Sequence, residues 1–203
     1  MSETPQDAQP TPASAAESAA ESTTGPTAGT TDPAGRTNPD TGLPVSAPQA
    51  AWPERVDTGP RQVSYRIRVQ APAAELWALL ADPHRHHEVD GSGTVQHTRT
   101  GPHRLAVGDE FTVAMRKFGV PYTMRLVTTA SDEGRLLEWQ HPGGHRWRWR
   151  FEDAGDGSSL VTETFDYSWT RPAVARAYEL TRRPADNANG IRSSLTRLAG
   201  RYL

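Results

Sequence analysis

The sequence predicts an α+β domain, an antiparallel sheet with helices at both of its chain ends. Three observations lead there. Residues 63–83, VSYRIRVQAPAAELWALLADP, read as a strand, a break and a short amphipathic helix. Alternating apolar and polar segments bounded by Gly- and Pro-containing turns then fill residues 94–169. A helix with one apolar stripe closes the chain. Strands in a run with helices at the ends belong to the α+β plan.

In the opening stretch, Val63, Tyr65, Ile67 and Val69 alternate with Ser64, Arg66, Arg68 and Gln70, the period of a strand with one buried face. Pro72 suits the first turn of a helix, where its missing N–H is no loss. Glu75 adds a negative charge where the helix dipole favours one. Ala73, Leu76, Trp77 and Leu80 share a face, and Asp82-Pro83 ends the helix because a residue before proline avoids the α region. The polar stretch 84–93, HRHHEVDGSG, reads as a short helix or turn leading into a loop. Strands are expected at 94–100, 110–117, 120–129, 135–141, 145–151 and 160–169, about seven in all.

The clearest alternation is His145–Phe151, HRWRWRF, with Trp147, Trp149 and Phe151 on one side and Arg146, Arg148 and Arg150 on the other. We read the arginine row as the wet face of the sheet. A phosphate- or nucleic-acid-binding face is the alternative. Against it, Glu138, Glu152 and Glu163 on neighbouring segments could neutralise the row. Helices are expected at 172–181 and from Pro184 to about Tyr202. In the second, Ile191, Leu195, Leu198 and Tyr202 fall on one stripe. Gly190 within it costs about 1 kcal/mol against alanine, which suggests a close approach by another segment.

Composition divides the 203 residues. Residues 1–62 hold ten of the 17 prolines, and Trp52 is their only aromatic residue. Such a segment cannot offset its ordering entropy, so 1–62 is expected to be a disordered acidic tail and 63–203 the domain. Removing residues 1–60 should then leave folding unchanged. The tail carries eight acids and three bases, the remainder 16 acids and 19 bases, a contrast too small to argue for nucleic acid. The absence of cysteine excludes disulfides and thiolate chemistry. No basic region precedes an apolar run, and no stretch nears the ~20 apolar residues of a membrane span, so a cytoplasmic protein is expected, monomeric or homodimeric.

The chain from about 63 to 203 resembles the SRPBCC or START-like superfamily of helix-grip proteins. The residues that carry this are Ile67–Pro72 running into Leu76–Pro83, then Val107–Phe111, and Asn187–Ile191 followed by Leu195 and Leu198. With its loop His87–Gly93 it is most similar to actinobacterial members described as polyketide cyclase/dehydrase. The resemblance implies a helix-grip fold, a curved sheet wrapped around the long C-terminal helix, with short helices after the first strand. It also implies a cavity between sheet and helix for a hydrophobic or aromatic ligand, polyketide- or lipid-like. One scaffold serves enzymes, carriers and chaperone activators there, so fold alone does not fix activity.

Candidate ligand-contacting residues are Tyr122, Met124, Trp139, His141, Trp147, Trp149, Phe165 and Tyr167 on the strands, with Trp77, Asn187 and Ile191 on the helices. Aromatic groups with polar handles suit an occupied interior. His87, Glu88 and Asp90 are candidates for a polar role at the cavity mouth. His141 and Tyr122 are the best acid–base pair should an aldol-type cyclisation occur. His84, His86, His87, Glu88 and Asp90 are dense in donors but lack H-E-x-x-H spacing, so no metal is expected there. No nucleotide or phosphate motif is present, and no cofactor is expected. Binding of a small hydrophobic molecule is favoured over cyclase or dehydrase turnover. The rival is a protein-interaction module using the basic sheet face or the C-terminal helix.

Overall fold

The computed structural model describes residues 52–203. β1 (Glu54–Val56) and β2 (Gln62–Val69) precede α1 (Ala73–Ala81), a 3-10 turn (Pro83–Arg85) and the one-turn α2 (His86–Val89). Six strands follow: β3 (Val95–Thr100), β4 (Glu110–Lys117), β5 (Val120–Asp132), β6 (Leu136–Gln140), β7 (Arg146–Asp153) and β8 (Ser159–Asp166). Then come α3 (Pro172–Leu180), α4 (Arg183–Ala199) and a final 3-10 turn (Gly200–Tyr202). All eight strands form one antiparallel sheet in the order β1-β2-β8-β7-β6-β5-β4-β3. Register shifts between β3 and β4 and between β5 and β6 mark irregularities of the kind that bend a strand. No helix among the described residues is long and apolar enough to cross a membrane.

The expected helix-grip plan holds, with one strand more than expected. β1 lies inside the stretch assigned to the tail and pairs with β2 as Glu54↔Arg66, Arg55↔Tyr65 and Val56↔Ser64. Three residues are too few to show a side-chain period, and this strand is held by backbone pairing and an Arg66–Glu54 ion pair at 2.8 Å. Residues 1–51 of the expected tail lie outside the described residues.

α4 packs on β2 and β8. Ile191, Leu195 and Leu198 are wholly buried there, as the stripe predicted. The segment that approaches Gly190 is the loop after α2. Ser92 would meet a Cβ on Gly190 at an ordinary 3.6 Å, but the tight fit is at Gly91, whose Cβ would fall 2.1 Å from the Ser194 backbone nitrogen. α1 covers β6 and β7, with the Trp77 indole N–H donating to the Leu136 carbonyl at 3.0 Å.

The arginine row lies on the outer face of the sheet, but Arg146 and Arg148 are half-buried there because acids bind them. Glu138 lies opposite Arg148, and Asp166 lies opposite Arg146. Glu138 accepts from Arg146 Nη1 at 2.9 Å and Arg148 Nε at 2.7 Å, and Arg148 reaches Asp166 at 3.2 Å. The acids are 5% and 1% exposed, and the two arginine side chains under 20%. Only Arg150 of the row is exposed. Glu163 does not take part, because on β8 it falls in phase with Val161 and Phe165 and so lies on the opposite, inner face.

Leu195→Ala is expected to cost roughly 2–5 kcal/mol in urea unfolding, as truncation of a buried leucine does; a loss near zero would mean that α4 does not cover the sheet. A pair of deletions tests the boundary. We propose that removing 1–51 leaves the melting temperature unchanged, while removing 1–60 strips β1 from β2 and lowers it by roughly 2–4 °C, the equivalent of about 1 kcal/mol for a domain of this size. Equal melting temperatures for the two deletions would show that β1 contributes nothing.

Candidate functional site

Period-two alternation lays side chains in rows across the inner face. One row runs Val63, Phe165, Trp147, Trp139 through paired positions of β2, β8, β7 and β6. The adjacent row runs Tyr65, Glu163, Trp149, Leu137. At the end of the first row, the turn between β6 and β7 brings His141 and His145 face to face, with ring centroids 4.3 Å apart. His145 Nδ1 lies 3.1 Å from the Tyr178 hydroxyl on α3. The Phe165, Tyr167 and Tyr178 rings pack beside them, with centroids 5.5 to 6.3 Å apart. Burial holds His145 down to about 4, and the nearby Arg183 cation adds to the effect. Burial, with the His145 and Arg183 charges, also holds His141 well below its ordinary value. Both imidazoles are therefore neutral at pH 7, each able to accept or donate a hydrogen bond.

Trp139, His141, Trp147, Trp149, Phe165 and Tyr167 thus share one surface. The structure does not bring Tyr122 to His141. Tyr122 pairs with Met115 at the far end of β5, five positions from Val127, which pairs with Gln140. At ~3.3 Å per residue that is a separation of about 16 Å. Met124 lies on that same outlying part, half-buried. The partner of His141 is His145, missed in the sequence although it is in phase with Trp147 and Trp149. Tyr178 has no such signal, because only the fold brings α3 to the turn between β6 and β7.

The loop after α2 serves as a latch on α4. Gly91 N donates to Ser194 Oγ at 2.9 Å, and Arg197 Nη1 to the Asp90 carbonyl at 2.6 Å. The Asp90 carboxylate accepts from Ser92 N and Val95 N. Glu88 is bound by Arg85 and Arg201, and its hydrogen bond to Arg85 holds its carboxyl below the usual range. His87 is exposed. His86 is buried against Trp139, and burial holds it at about 4. Of the helix candidates, Trp77 spends its N–H on Leu136, Ile191 is wholly buried, and Asn187 is half-buried.

Among the described residues one set of donor atoms converges: Asp82, His84 and His103 lie within 4.8 Å of one another. His103 Nδ1 contacts Asp82 at 3.0 Å and His84 Nε2 contacts the Gly101 carbonyl at 3.1 Å, so a cation would have to displace such bonds.

The residue with the largest consequence is Glu163. It is 5% exposed, and among the described residues one carboxyl oxygen, Oε2, has no hydrogen-bond partner; nor has Trp149 Nε1 across the strand pair. Burial pushes the carboxyl well above its ordinary value, the Asp90 charge pushes it further, and the Ser194 hydroxyl lowers it in part. A raised folded pKa means that rising pH ionises the unfolded chain first and drains stability. Glu163→Gln should therefore stabilise the fold more at pH 8 than at pH 5 in urea unfolding. An equal effect at both would show that Glu163 ionises alike in the folded and unfolded chains. His86 and His145 act in another window: folding keeps them neutral, so their contribution is lost as pH falls from about 6.5 to about 4.

Comparison with known proteins places these features in a family. An uncharacterized protein of Mycobacterium tuberculosis, Rv0088, is 46% identical over 150 residues, covering 72% of this chain and 66% of that protein, just under two thirds of its length. Among solved structures, protein Ms6760 of Mycobacterium smegmatis superposes with a TM-score of 0.52 at 18% identity, over 72% of this chain and 96% of that one. A protein of Arthrobacter aurescens gives 0.57 at 14% identity, over 73% and 91%. These two likenesses speak for the fold. Residues 60–202 match the family described as polyketide cyclase / dehydrase and lipid transport, and the chain belongs to that family.

Proposed function

We propose that the inner face of the sheet binds a small hydrophobic or aromatic molecule, with turnover secondary to binding. The observation that carries this is the composition of that face, where aromatic rings surround polar atoms that lack partners, Trp149 Nε1 and Glu163 Oε2. Small-molecule sites combine apolar walls with a few placed polar groups. The family supports a hydrophobic-ligand fold.

Two depressions lie away from this face. One, of about 500 Å³, lies between α1 and the C-terminal turn and is lined by Glu75, Arg85 and Tyr202 among others. The other, of about 340 Å³, lies on the outer face by Arg66, Arg148 and Arg150. α3 covers the aromatic end of the inner face through the Tyr178–His145 contact, and it is the element suited to move. Ala175 is its only buried residue, and it joins α4 through Arg182, a non-glycine residue at φ 57°. Swinging α3 away would expose the packed rings of His141, His145, Trp147, Phe165 and Tyr167.

The rival reading is a partner bound by the basic outer face. Arg66 and Arg148 are already paired with Glu54, Glu138 and Asp166, which leaves Arg150 to carry it. A tryptophan-fluorescence titration with flat polyaromatic and fatty-acid ligands separates the two. Trp147→Ala is expected to weaken binding at least tenfold, and Arg150→Ser to leave it unchanged. Loss of binding in Arg150→Ser alone, or no binding across the panel, would move the rival ahead.

A further inference from the structure

We propose that Glu163 and Trp149 form a two-point anchor for a single acceptor oxygen on the ligand, so that the site selects a neutral aromatic ketone or quinone over the matching hydrocarbon. This rests on the interior-site reading above and names the ligand class within it.

The two groups are neighbours by register. Glu163 on β8 pairs with Trp149 on β7, and directly opposed side chains stand with Cβ atoms about 4.5–5.5 Å apart. Both are almost wholly buried, at 5% and 3% exposed. Each has an atom with no hydrogen-bond partner, although buried polar groups as a rule have one. The indole N–H can only donate. The Glu163 carboxyl faces a surface of aromatic and aliphatic groups under α4, where burial and the Asp90 charge favour its protonated form. A carboxylic acid in that form also offers a donor, as acids kept neutral by apolar surroundings do. Two donors on directly paired residues suit one oxygen with two lone pairs. A carbonyl supplies that, whereas a carboxylate ligand would have to be desolvated close to Asp90. The neighbouring row, with Phe165 and Trp147 next to Glu163 and Trp149, supplies flat walls for the rings that carry the carbonyl.

The structural alternative is that Glu163 serves only the fold, through Ser194. That role would not discriminate between ligands, so a matched pair of probes tests the anchor. 2-Acetylnaphthalene carries an acceptor oxygen; 2-ethylnaphthalene has nearly the same shape without it and is the more hydrophobic. The wild-type chain is expected to bind the ketone roughly tenfold more tightly, the worth of one to two net hydrogen bonds. Glu163→Gln keeps a donor and should keep most of the preference. Glu163→Leu should reduce the preference, and Glu163→Leu with Trp149→Phe should abolish it, while each variant still binds 2-ethylnaphthalene, which also reports that it folds. Trp149→Phe should reduce the preference. On wild-type protein alone, the infrared carbonyl band of the bound ketone should shift to lower frequency than in hexane. Equal affinity for the two probes, a preference undiminished in Glu163→Leu, or an unshifted carbonyl band would overturn the anchor alone. Failure of both probes to bind wild type would overturn the interior site and the anchor together.

Discussion

The contact of α4 with β2 and β8 is the constraint on which the rest depends. Ile191, Leu195 and Leu198 are sealed from solvent by it. At ~1.5–3 kcal/mol for each buried aliphatic side chain, the three contribute roughly 5–9 kcal/mol before entropy, comparable with the net stability of a small domain. Without α4 the inner face of the sheet would be wet, Glu163 would ionise as an ordinary acid, and the aromatic rows would be a surface. The α2–β3 loop locks the helix in place. Gly91 has no room for a side chain against α4, and its N–H is held by Ser194. The loop, the helix and the buried acid are therefore linked, since Ser194 touches both Gly91 and Glu163.

β7 shows how register assigns chemistry to faces. Its tryptophans build the interior, and its arginines meet Glu138 and Asp166 on the outside. A buried ion pair often adds little net stability, because desolvation offsets attraction. Its stronger effect here is on register. A slip of one residue would drive arginines under α4 and tryptophans into water, so pairing errors at β7 are heavily penalised. The same network leaves the outer face with less free positive charge than three alternating arginines suggest.

Most of the architecture was legible in the sequence because it rests on local periods. The strand–Pro–helix opening, the HRWRWRF strand and the stripe at 191, 195 and 198 each declare their buried face within a few residues. β1 was not legible, since three residues beside a proline have no period and its pairing is made by the backbone. Glu163 was legible in principle: it is in phase with Val161 and Phe165, and only its charge argued for the outer face. Tyr122 and His141 failed as a pair because β5, at 13 residues, carries Tyr122 well past the end of β6. Tyr178 meets His145 only through tertiary folding.

Four buried side-chain atoms lack partners among the described residues: Gln62 Oε1, Thr128 Oγ1, Trp149 Nε1 and Glu163 Oε2. Glu163 and Trp149 lie in one inner-face row, and Thr128 pairs with Trp139 at the end of the other. An unmet buried polar group costs about 1–3 kcal/mol. A sheet that needed only to be covered by α4 would be more stable with leucine at 163 and phenylalanine at 149, and nothing in the backbone there forbids them. Their polar atoms are instead concentrated on the face that α3 and α4 cover, beside the most aromatic part of the molecule. That is the distribution expected where part of the stability has been exchanged for a surface able to recognise a ligand.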